Sequence, residues 1–501
     1  MRGIGHWVVK RAQLSNSKEA LVFNNHCITY GQLNNRINRL ANGLTQLGVQ
    51  KGTRVAVFLM NGNEILEAMF ACAKIGAIFV PINFRLSIEE VEYILNDSGA
   101  TIFIYQSDYA QLASEMYINK RVPILCWISV GNPIVKGDIQ YENFLMMHTD
   151  IEPEVDVDGE EVHMIMYTSG TTGRPKGAML THANTFWNII QILIAQPVLE
   201  TDTTLTVAPM FHSGAMTILT LSLLYKGGTV VIYNRFDPVQ VLQTIVQKKI
   251  TCMFMVPSMW LAVTQTTYFD KCNFELLRFG ISAGAPCPLT VIKLLLKKGV
   301  PIIQAFGLSE VAPVAILSLQ DAGRKIGSVG KPAFYVDVRI VNESGQEACV
   351  GEVGELMVKA PNVMIGYWKK TQETQETFQE GWFLTGDCAR RDKEGYIYIV
   401  GRKKDVIITG GENVYPVEVE QVLYRHPNIK EVAVVGVPNK KWGEAIKAVI
   451  VLKELSQCIS IDGIKAFCEG KLARYKMPKI LEVVSALPRN AAGKVLKSSL
   501  R

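Results

Sequence analysis

The sequence predicts a multidomain α/β protein, and three observations support this class. The chain has 501 residues, which is too long for one ordinary hydrophobic core. Short apolar runs alternate with helical segments in its first part, and short strands separated by turn residues follow after about Gly327. Hydrophobic residues make up 48% and charged residues 20% of the chain, which is the balance of an ordered globular protein.

The first part, residues 1–326, reads as an α/β domain. Residues 55–60 form a continuous apolar run of the kind that is buried in a parallel sheet. A helical segment follows at 64–75, and residues 77–81 begin the next strand. Similar apolar runs recur at 100–105 and 229–233. This alternation predicts strands that are connected by helices.

Two smaller units follow. Strands at 336–341 and 354–359, with turns between them, predict a barrel-like antiparallel subdomain over 327–401. The polar segment Gly401-Arg402-Lys403-Lys404-Asp405 separates two strand-like runs and predicts a linker. Helices at 417–424 and 461–472, and strands at 432–437 and 446–452, predict a separate α+β domain.

Charge and cysteine content exclude several classes of protein. Residues 403–501 carry 17 Lys and Arg against 10 Asp and Glu, a net charge of +7, whereas the whole chain carries +6. A polyanionic ligand, an anionic membrane surface or nucleic acid could use this excess. The ten cysteines show neither CxxC nor Cys/His metal spacing, so we expect reduced thiols rather than disulfides or zinc. Without a signal-type or bilayer-length apolar run, we expect a cytoplasmic protein.

A loop rich in glycine and hydroxyl groups is the strongest chemical signal. The apolar run that ends at Tyr167 leads into Thr168-Ser169-Gly170-Thr171-Thr172-Gly173-Arg174-Pro175-Lys176. Glycines let several N–H groups converge on one anion, hydroxyls add donors, and the lysine adds a mobile positive charge. Pro175 stands where a Walker A loop requires glycine. The loop therefore predicts phosphate binding of a different kind.

This loop and four later segments resemble the adenylate-forming superfamily of acyl-CoA synthetases, peptide-synthetase adenylation domains and luciferases. The later segments are Gln304-Ala305-Phe306-Gly307-Leu308-Ser309-Glu310, Gly381-Trp382-Phe383-Leu384-Thr385-Gly386-Asp387, Gly401-Arg402-Lys403-Lys404-Asp405 and Pro488-Arg489-Asn490-Ala491-Ala492-Gly493-Lys494. The resemblance covers the chain from about residue 25. It implies a large N-terminal AMP-binding domain of two α/β layers plus a β-barrel (1–401), a hinge (402–405) and a small mobile α+β lid domain (406–501).

The resemblance also implies a reaction. A carboxylate attacks the α-phosphate of ATP to give an acyl-adenylate and pyrophosphate, and coenzyme A then displaces AMP to give acyl-CoA. Such chemistry needs positioning and charge neutralisation rather than a protein nucleophile. ATP, Mg²⁺ and coenzyme A are therefore the expected cofactor and substrates of an ATP-dependent acid–thiol ligase.

Residue roles follow from the resemblance. Lys494, Glu310 and His212 are the expected catalytic residues, with Glu310 and Thr168 as Mg²⁺ ligands and Lys404 as the hinge. His212 is expected to position the carboxylate or gate the tunnel. The expected ATP and AMP contacts are Thr168, Ser169, Gly170, Thr171, Thr172, Gly173, Lys176, Gly284, Ala285, Pro286, Gln304, Ala305, Phe306, Gly307, Ser309, Asp387 and Arg402. The expected coenzyme A contacts are Gly410, Gly411, Glu412, Lys441, Trp442, Arg474 and Lys476.

The acid substrate is less closely defined by the sequence. The whole chain is most similar to bacterial fatty-acyl-CoA synthetases, and the apolar, Met-rich segments 210–224 and 253–260 suit a flexible hydrocarbon pocket. We therefore expect a medium- or long-chain fatty acid. An aryl acid of the succinylbenzoate or cinnamate type is the alternative. An amino acid is disfavoured because Met210-Phe211-His212-Ser213 lacks an aspartate to pair its amino group.

Expected partners are small molecules. A nucleic acid is not expected, because the basic residues are not interleaved with aromatic ones. The basic residues 403–501 and a membrane-soluble substrate would allow a peripheral contact with the inner membrane face. A homodimer or a monomer is expected.

Overall fold

The computed structural model describes residues 1–133, 135, 137–168, 174–454, 459–489 and 495–501. Within them the α-helices are Gly5–Ser15, Tyr30–Gln46, Asn63–Ile75, Ile88–Ser98, Ala110–Asn119, Tyr141–Met146, His182–Ala195, Ser213–Ala215, Ser222–Lys226, Pro238–Gln247, Pro257–Thr264, Leu289–Lys297, Thr371–Glu376, Pro416–Leu423 and Ile461–Cys468. Single 3₁₀ turns occur at Ser107–Tyr109, Phe269–Lys271, Leu319–Asp321, Lys403–Asp405, Arg474–Lys476 and Lys497–Leu500, and a π-helix at Met216–Leu221.

The first sheet has eight strands, most of them parallel. In spatial order they are Gly366–Tyr367, Lys176–Thr181, Val162–Thr168, Ile78–Pro81, Arg54–Phe58, Ile102–Gln106, Cys126–Val130 and Ile139–Gln140. The first two strands in this order are antiparallel to their neighbours, and the others run parallel. The central strands are buried on both faces, which explains their continuous apolar runs.

The second sheet has nine strands. In spatial order they are Lys331–Pro332, Val311–Ile316, Ile302–Leu308, Phe279–Ser282, Cys252–Met255, Thr203–Thr206, Thr229–Ile232, Glu19–Phe23 and His26–Thr29. One core cluster contains side chains from both sheets and from the helices between them, such as Leu66, Phe79, Phe254 and Phe279. The expected two α/β layers are confirmed.

The third and fourth sheets belong to the smaller units. The third is antiparallel and consists of Asp337–Val341, Val353–Lys359, Trp382–Arg391, Phe378–Gln379 and Ile397–Arg402. The fourth consists of Glu412–Val414, Ile407–Thr409, Gly443–Leu452, Ile429–Asn439 and the parallel edge strand Ile480–Val483. A separate apolar cluster lies between this sheet and the helices Pro416–Leu423 and Ile461–Cys468. The smaller C-terminal α+β domain is confirmed.

Local sequence explains where many helices begin and end. Thr29 and Ser87 each form a capping box with the residue three positions later. The capping bonds satisfy backbone N–H groups that have no hydrogen-bond partner within the first helical turn. Gly76 and Gly99 end two helices in the left-handed conformation, with φ of 70° and 64°. These signals stand in the sequence itself, so they place helix boundaries before any packing is known.

Two predicted boundaries were wrong. The helix predicted at 461–472 ends at Cys468: Glu469 is already extended, and Gly470 follows with a left-handed φ of 72°. The segment 401–405 was predicted as a polar linker, but Gly401 and Arg402 lie within the strand Ile397–Arg402. Only Lys403–Asp405, a single 3₁₀ turn, connects the third sheet to the fourth.

Within the described residues, no helix has both the length and the apolar character needed to cross a bilayer. Nine cysteines are described and all are free thiols. Cys27 and Cys349 are exposed, whereas most of the others are buried.

Candidate active site

Two paired strands of the first sheet precede and follow the glycine- and hydroxyl-rich loop in the sequence. Val162–Thr168 and Lys176–Thr181 run antiparallel, and their register places Thr168 directly opposite Lys176. The Thr168 hydroxyl donates to the Lys176 carbonyl oxygen at 3.5 Å. The predicted phosphate contacts Ser169, Gly170, Thr171, Thr172 and Gly173 lie outside the described residues. The two ends of the loop therefore bring a hydroxyl and an ammonium group to one place.

Tyr367 connects this loop to Glu310. The Tyr367 hydroxyl donates to Glu310 Oε1 at 2.9 Å, and Lys176 Nζ lies 5.4 Å from the centroid of the Tyr367 ring. Tyr367 is 8% exposed. Burial, and then the Glu310 charge, raise the pKa of its phenol well above the ordinary value. Tyr367 therefore stays a proton donor at any physiological pH.

Asp387 and Arg402 form the second cluster. They are paired residues of neighbouring strands, and Arg402 Nε lies 2.9 Å from Asp387 Oδ1. Thr385 fixes both, because its hydroxyl accepts the Asp387 N–H at 3.0 Å and its carbonyl accepts from Arg402 Nη1 at 3.1 Å. The Arg402 charge also lowers the pKa of the Tyr367 phenol, but burial and the Glu310 charge outweigh it.

Two parallel strands of the second sheet position the segments that were predicted to surround adenine. Ser282, the last residue of Phe279–Ser282, is paired with Gln304 of Ile302–Leu308, and the latter strand continues through Ala305, Phe306 and Gly307 beyond this pair. Gly284 follows with a left-handed φ of 90°, and Ala285 and Pro286 are exposed. The carboxyl ends of parallel strands are where open α/β sheets bind ligands.

The second of these strands is tightly constrained. Gln304 Oε1 accepts the Gly327 N–H at 3.2 Å, and Ala305 is buried. Phe306 and Ser309 are partly buried. Gly307 has no room for a side chain, because a Cβ there would lie 3.0 Å from Ala312 Cα. The backbone next to Phe306 is therefore closely packed against the neighbouring strand.

His212 lies beside Phe211 and is neutral. Its ring centroid is 4.4 Å from that of Phe211. Burial, with a smaller contribution from Arg85, lowers the pKa of His212 to about 4. Its Nε2 atom is buried and has no hydrogen-bond partner among the described residues. A neutral imidazole can orient a substrate by hydrogen bonding but cannot supply a cation at neutral pH.

Sequence reasoning missed Asn61, which holds the segment before His212. Asn61 is 3% exposed; its Nδ2 donates to the Ala208 carbonyl at 2.9 Å, and its Oδ1 accepts the Met210 N–H at 2.8 Å. It also missed Tyr367, which lies 57 residues from Glu310 in the sequence. A polar residue just after a buried strand was the available signal for Asn61. No local pattern connects Tyr367 to Glu310.

A glycine turn and Trp442 form a platform on the C-terminal domain. Gly410 and Gly411 have left-handed φ values of 63° and 84°, and the Gly410 N–H donates to the Trp442 carbonyl at 2.8 Å. Trp442 is 41% exposed. Lys441 Nζ and Lys479 Nζ lie 4.9 and 4.3 Å from the centroid of its ring. Sequence reasoning missed Lys479, although it belongs to the same basic excess.

The other predicted coenzyme A residues lie in different environments. Glu412 is exposed. Arg474 is exposed and lines a surface groove together with Lys479. Lys476 instead pairs with both oxygens of Glu418 at 2.8 Å, so its charge is already compensated. The structure therefore favours Lys441, Lys479 and Arg474 over Lys476 as anion-binding groups.

The predicted hinge is exposed and touches the last residue of the chain. Lys404 lies in the 3₁₀ turn Lys403–Asp405. Arg501 Nη2 donates to the Lys404 carbonyl and to Asp405 Oδ1, both at 3.3 Å. The predicted catalytic residue Lys494 lies outside the described residues.

The residues present fit a magnesium–nucleotide complex. Glu310 supplies a carboxylate and Thr168 a hydroxyl, both hard oxygen donors. No cluster of three or more His, Cys, Asp and Glu that could hold a metal occurs in the described part of the chain. Mg²⁺ commonly uses only one or two carboxylates, with substrate phosphates and water completing its octahedron. The donor set is therefore that of a metal held jointly by protein and nucleotide.

Comparison with known proteins agrees with this geometry. The AMP-binding enzyme family model matches residues 8–368, and the model of its C-terminal domain matches 418–494. A feruloyl-CoA synthase of an Amycolatopsis species is 39% identical over 503 residues, covering 100% of this chain and 99% of the relative. A long-chain-fatty-acid–CoA ligase, FadD13 of Mycobacterium tuberculosis, is 36% identical over 506 residues, covering 100% and 98%.

A solved structure shows the same fold. The o-succinylbenzoate CoA synthetase of Bacillus subtilis, in complex with its acyl-adenylate intermediate, superimposes with a TM-score of 0.88 at 32% identity, covering 99% of this chain and 98% of that one. The chain belongs to the AMP-binding enzyme family, as an ATP-dependent, AMP-forming CoA ligase that uses ATP, Mg²⁺ and coenzyme A.

Proposed function

We propose that this ligase activates a substituted aryl acid of the cinnamate type. The observation that carries the proposal is a group of buried side chains on the strands Thr203–Thr206 and Cys252–Met255 and the π-helix Met216–Leu221, which combines one aromatic ring with several hydroxyl groups. Phe254 supplies the ring, and Gly214 approaches it so closely that a Cβ at Gly214 would lie 3.2 Å from Phe254 Cζ. The Phe254 ring gives an aromatic acid a stacking partner.

The side chains around Phe254 are partly polar. A region without room for a water molecule in this structure is enclosed by Thr204, Leu205, Thr206, Ala208, Ala215, Leu219, Thr220 and Phe254, so an acid would enter it only if these side chains moved. Thr206 and Thr220 bond to one another at 2.7 Å. Thr204 is 1% exposed, and its Oγ1 has no hydrogen-bond partner among the described residues. A buried hydroxyl without a partner favours a ligand that carries its own polar substituent.

Two of the methionines that suggested a hydrocarbon pocket point away from Phe254. Met253 and Met255 are buried, and they pack in the cluster formed with the helices Pro238–Gln247 and Pro257–Thr264. Phe254, between them, belongs to the other cluster, because side chains of a strand alternate between faces. Only the Phe254 side therefore faces the proposed acid site.

A medium- or long-chain fatty acid is the second candidate. The relative at 36% identity is named as a long-chain-fatty-acid–CoA ligase, and the π-helix Met216–Leu221 contributes the apolar side chain of Leu219 to the same lining. A π-helix is a local irregularity that is common at functional sites. The relative at 39% identity is named as a feruloyl-CoA synthase, which supports the aryl candidate.

The proposed roles of the site residues follow from their chemistry. Glu310 and Thr168 would hold Mg²⁺, which supplies charge neutralisation at the phosphates when bound. Asp387 would accept the ribose hydroxyls, with Arg402 holding its carboxylate in place, and Phe306 would stack on adenine. The neutral His212 would orient the acid.

The remaining roles belong to the lid domain. Lys494 would stabilise the α-phosphate during adenylation. It must then leave before the thiol enters, so the lid domain would turn about Lys404. Trp442, with Lys441 and Lys479, would receive the adenine and phosphates of coenzyme A.

The test is a pyrophosphate-release screen with and without coenzyme A, across C2 to C18 fatty acids, benzoates, hydroxylated and unsubstituted cinnamates, and amino acids. We expect the highest kcat/KM with hydroxylated cinnamates and a further rise in turnover when coenzyme A is added. A preference for C12 to C18 acids would overturn the aryl proposal in favour of the second candidate.

A variant pair tests the lining directly. Thr204→Val should reduce kcat/KM for a hydroxylated cinnamate about tenfold relative to the unsubstituted acid, the value of one hydrogen bond. Thr229→Val, on the adjacent strand, is the matched control and should leave this ratio unchanged. Equal losses for both acids in Thr204→Val would contradict a polar recognition role.

A further inference from the structure

Tyr367 occupies a position that neither the motif segments nor the reaction chemistry explains. Its backbone pairs with Ala178 in the strand that leaves the phosphate loop, and the neighbouring Trp368 N–H donates to the Gly177 carbonyl at 2.7 Å. Its side chain reaches across to Glu310. The Tyr367 backbone is therefore paired with the strand that follows the phosphate loop, and its hydroxyl is hydrogen-bonded to the Glu310 carboxylate.

The segment that carries Tyr367 is fixed on three sides. The Met364 N–H donates to the Glu310 carbonyl at 2.7 Å, and the Ile365 N–H to the Met179 carbonyl at 3.2 Å. On the third side, Thr374 Oγ1 accepts the Tyr367 N–H at 2.9 Å. These bonds leave the Tyr367 hydroxyl little freedom to move relative to the Glu310 backbone.

Glu310 itself is held less firmly. It lies in the turn between Ile302–Leu308 and Val311–Ile316, and its carboxylate is only partly buried. A glutamate side chain that keeps its rotamer freedom loses that freedom on binding a ligand. A donor that is held in place on one carboxylate oxygen restricts the side chain before the ligand binds, which reduces this loss of entropy. It also sets the direction in which the other oxygen points.

We propose that Tyr367 is a positioning residue for the metal–nucleotide complex: its hydroxyl orients the Glu310 carboxylate toward the metal, and its ring keeps the Lys176 ammonium beside the phosphate loop. The inference rests on the proposed role of Glu310 as a Mg²⁺ ligand. The Lys176 ammonium, 5.4 Å from the ring centroid, gains a cation–π contact that holds it near the face of the ring. One side chain thus couples the two charges that act on the same phosphates.

The test measures nucleotide binding rather than turnover. The affinity of the purified full-length enzyme for the α,β-methylene analogue of ATP, which cannot be adenylated, is measured by calorimetry with excess Mg²⁺ and again with EDTA. The ratio of the two affinities isolates the contribution of the metal. Tyr367→Phe removes the hydroxyl and keeps the ring, and thermal unfolding of each variant shows whether the fold is retained.

We expect Tyr367→Phe to lower the affinity with Mg²⁺ about tenfold, as the loss of a group that orients a metal ligand does, and to leave the affinity with EDTA unchanged. Tyr335→Phe, at a 45% exposed tyrosine, is the control and should change neither value. An unchanged Mg²⁺ affinity in Tyr367→Phe, or equal losses with Mg²⁺ and EDTA, would overturn the positioning role.

Glu310→Gln separates this inference from the proposed function. If Glu310→Gln abolishes the gain from Mg²⁺ while Tyr367→Phe keeps it, only the role of Tyr367 is refuted. If Glu310→Gln keeps the gain, Glu310 is not a metal ligand, and both the proposed role of Glu310 and the positioning role of Tyr367 are wrong. Tyr367→Leu, which also removes the ring, should additionally weaken binding in EDTA, because Lys176 loses its contact.

Discussion

Asp387 and Arg402 form an ion pair across two antiparallel strands, with 2.9 Å between Asp387 Oδ1 and Arg402 Nε. Asp387 is 5% exposed. Arg402 on the partner strand therefore both compensates the buried charge of Asp387 and fixes the direction of its carboxylate. A buried carboxylate is costly unless it is paired and hydrogen-bonded. The strand pair therefore presents a carboxylate that is already oriented before the nucleotide arrives.

If Asp387 accepts the ribose hydroxyls, Asp387→Ala should lower kcat/KM for ATP by about 10²-fold, the value of a charge-assisted hydrogen-bond pair. The variant should also lose its preference for ATP over 2′-deoxy-ATP, because the group that distinguishes them is gone. Steady-state pyrophosphate release with each nucleotide measures both effects. Glu394→Ala, at an exposed carboxylate that pairs with Arg324, is the control. A preserved preference would contradict the role.

Lys494 is expected to act on the first half-reaction alone. Lys494→Ala should reduce ATP–pyrophosphate exchange by a factor of ~10² or more, because a charge at the developing transition state is removed. Thioester formation from a synthetic acyl-adenylate should be retained. Lys497→Ala, which removes a lysine paired with Glu420 at 2.7 Å, should not affect exchange. Unchanged exchange in Lys494→Ala would refute its catalytic role.

The turn at Lys404 is expected to serve the second half-reaction. Lys404→Pro restricts φ and should slow thioester formation about tenfold more than it slows pyrophosphate exchange. Lys404→Ala keeps the backbone free and is the matched control. Rapid-quench measurement of the two half-reactions gives the comparison. Equal loss of both in the proline variant would count against a hinge.

Trp442 is expected to contact coenzyme A only. Trp442→Ala should raise the KM for coenzyme A about tenfold, since stacking of a base on an aromatic ring contributes about 1–3 kcal/mol. Pyrophosphate release without coenzyme A should stay the same. Trp187→Ala, on the helix His182–Ala195, is the control. An unchanged KM for coenzyme A in Trp442→Ala would show that Trp442 does not contact coenzyme A.

Two stacked histidines predict acid sensitivity of the fold. The rings of His163 and His182 lie 4.9 Å apart, and burial lowers the pKa of His182 to about 4 and that of His163 well below its ordinary value. The Ile4 N–H donates to His182 Nδ1 at 3.2 Å. The folded state therefore needs a neutral His182, whereas the unfolded chain binds a proton below about pH 6.5.

Because the unfolded state binds more protons, the free energy of unfolding falls as the pH drops from about 6.5 toward 4. For His182 alone the loss at pH 5 is about 2 kcal/mol. Urea unfolding at pH 7.5 and pH 5 measures it. His182→Asn, which keeps an acceptor for Ile4, should reduce this pH dependence, and His26→Asn, at an exposed histidine, should not. An undiminished pH dependence in His182→Asn would rule out His182 as a source.

Much of the fold could be predicted because its signals are local. Three signals each extend over only a few residues: the apolar run before Thr168, the alternation of strands and helices, and the glycines that follow helices. The two wrong boundaries fall where a local signal was ambiguous. Gly470 stands inside a helical pattern, and Gly401-Arg402 is polar although it continues a strand whose partner is remote in sequence.

The sequence by itself determined the class of chemistry and offered candidate residues for the charges that this chemistry needs. A glycine- and hydroxyl-rich loop, Glu310, Asp387, Arg402 and Lys494 are recognisable because their spacing within each segment is short. Only the tertiary structure decided which side chains act together: that Tyr367 reaches Glu310, that Lys479 joins Lys441 at Trp442, and that Met253 and Met255 face away from Phe254. These relationships arise from strand register and the alternation of strand faces, which connect residues far apart in the chain.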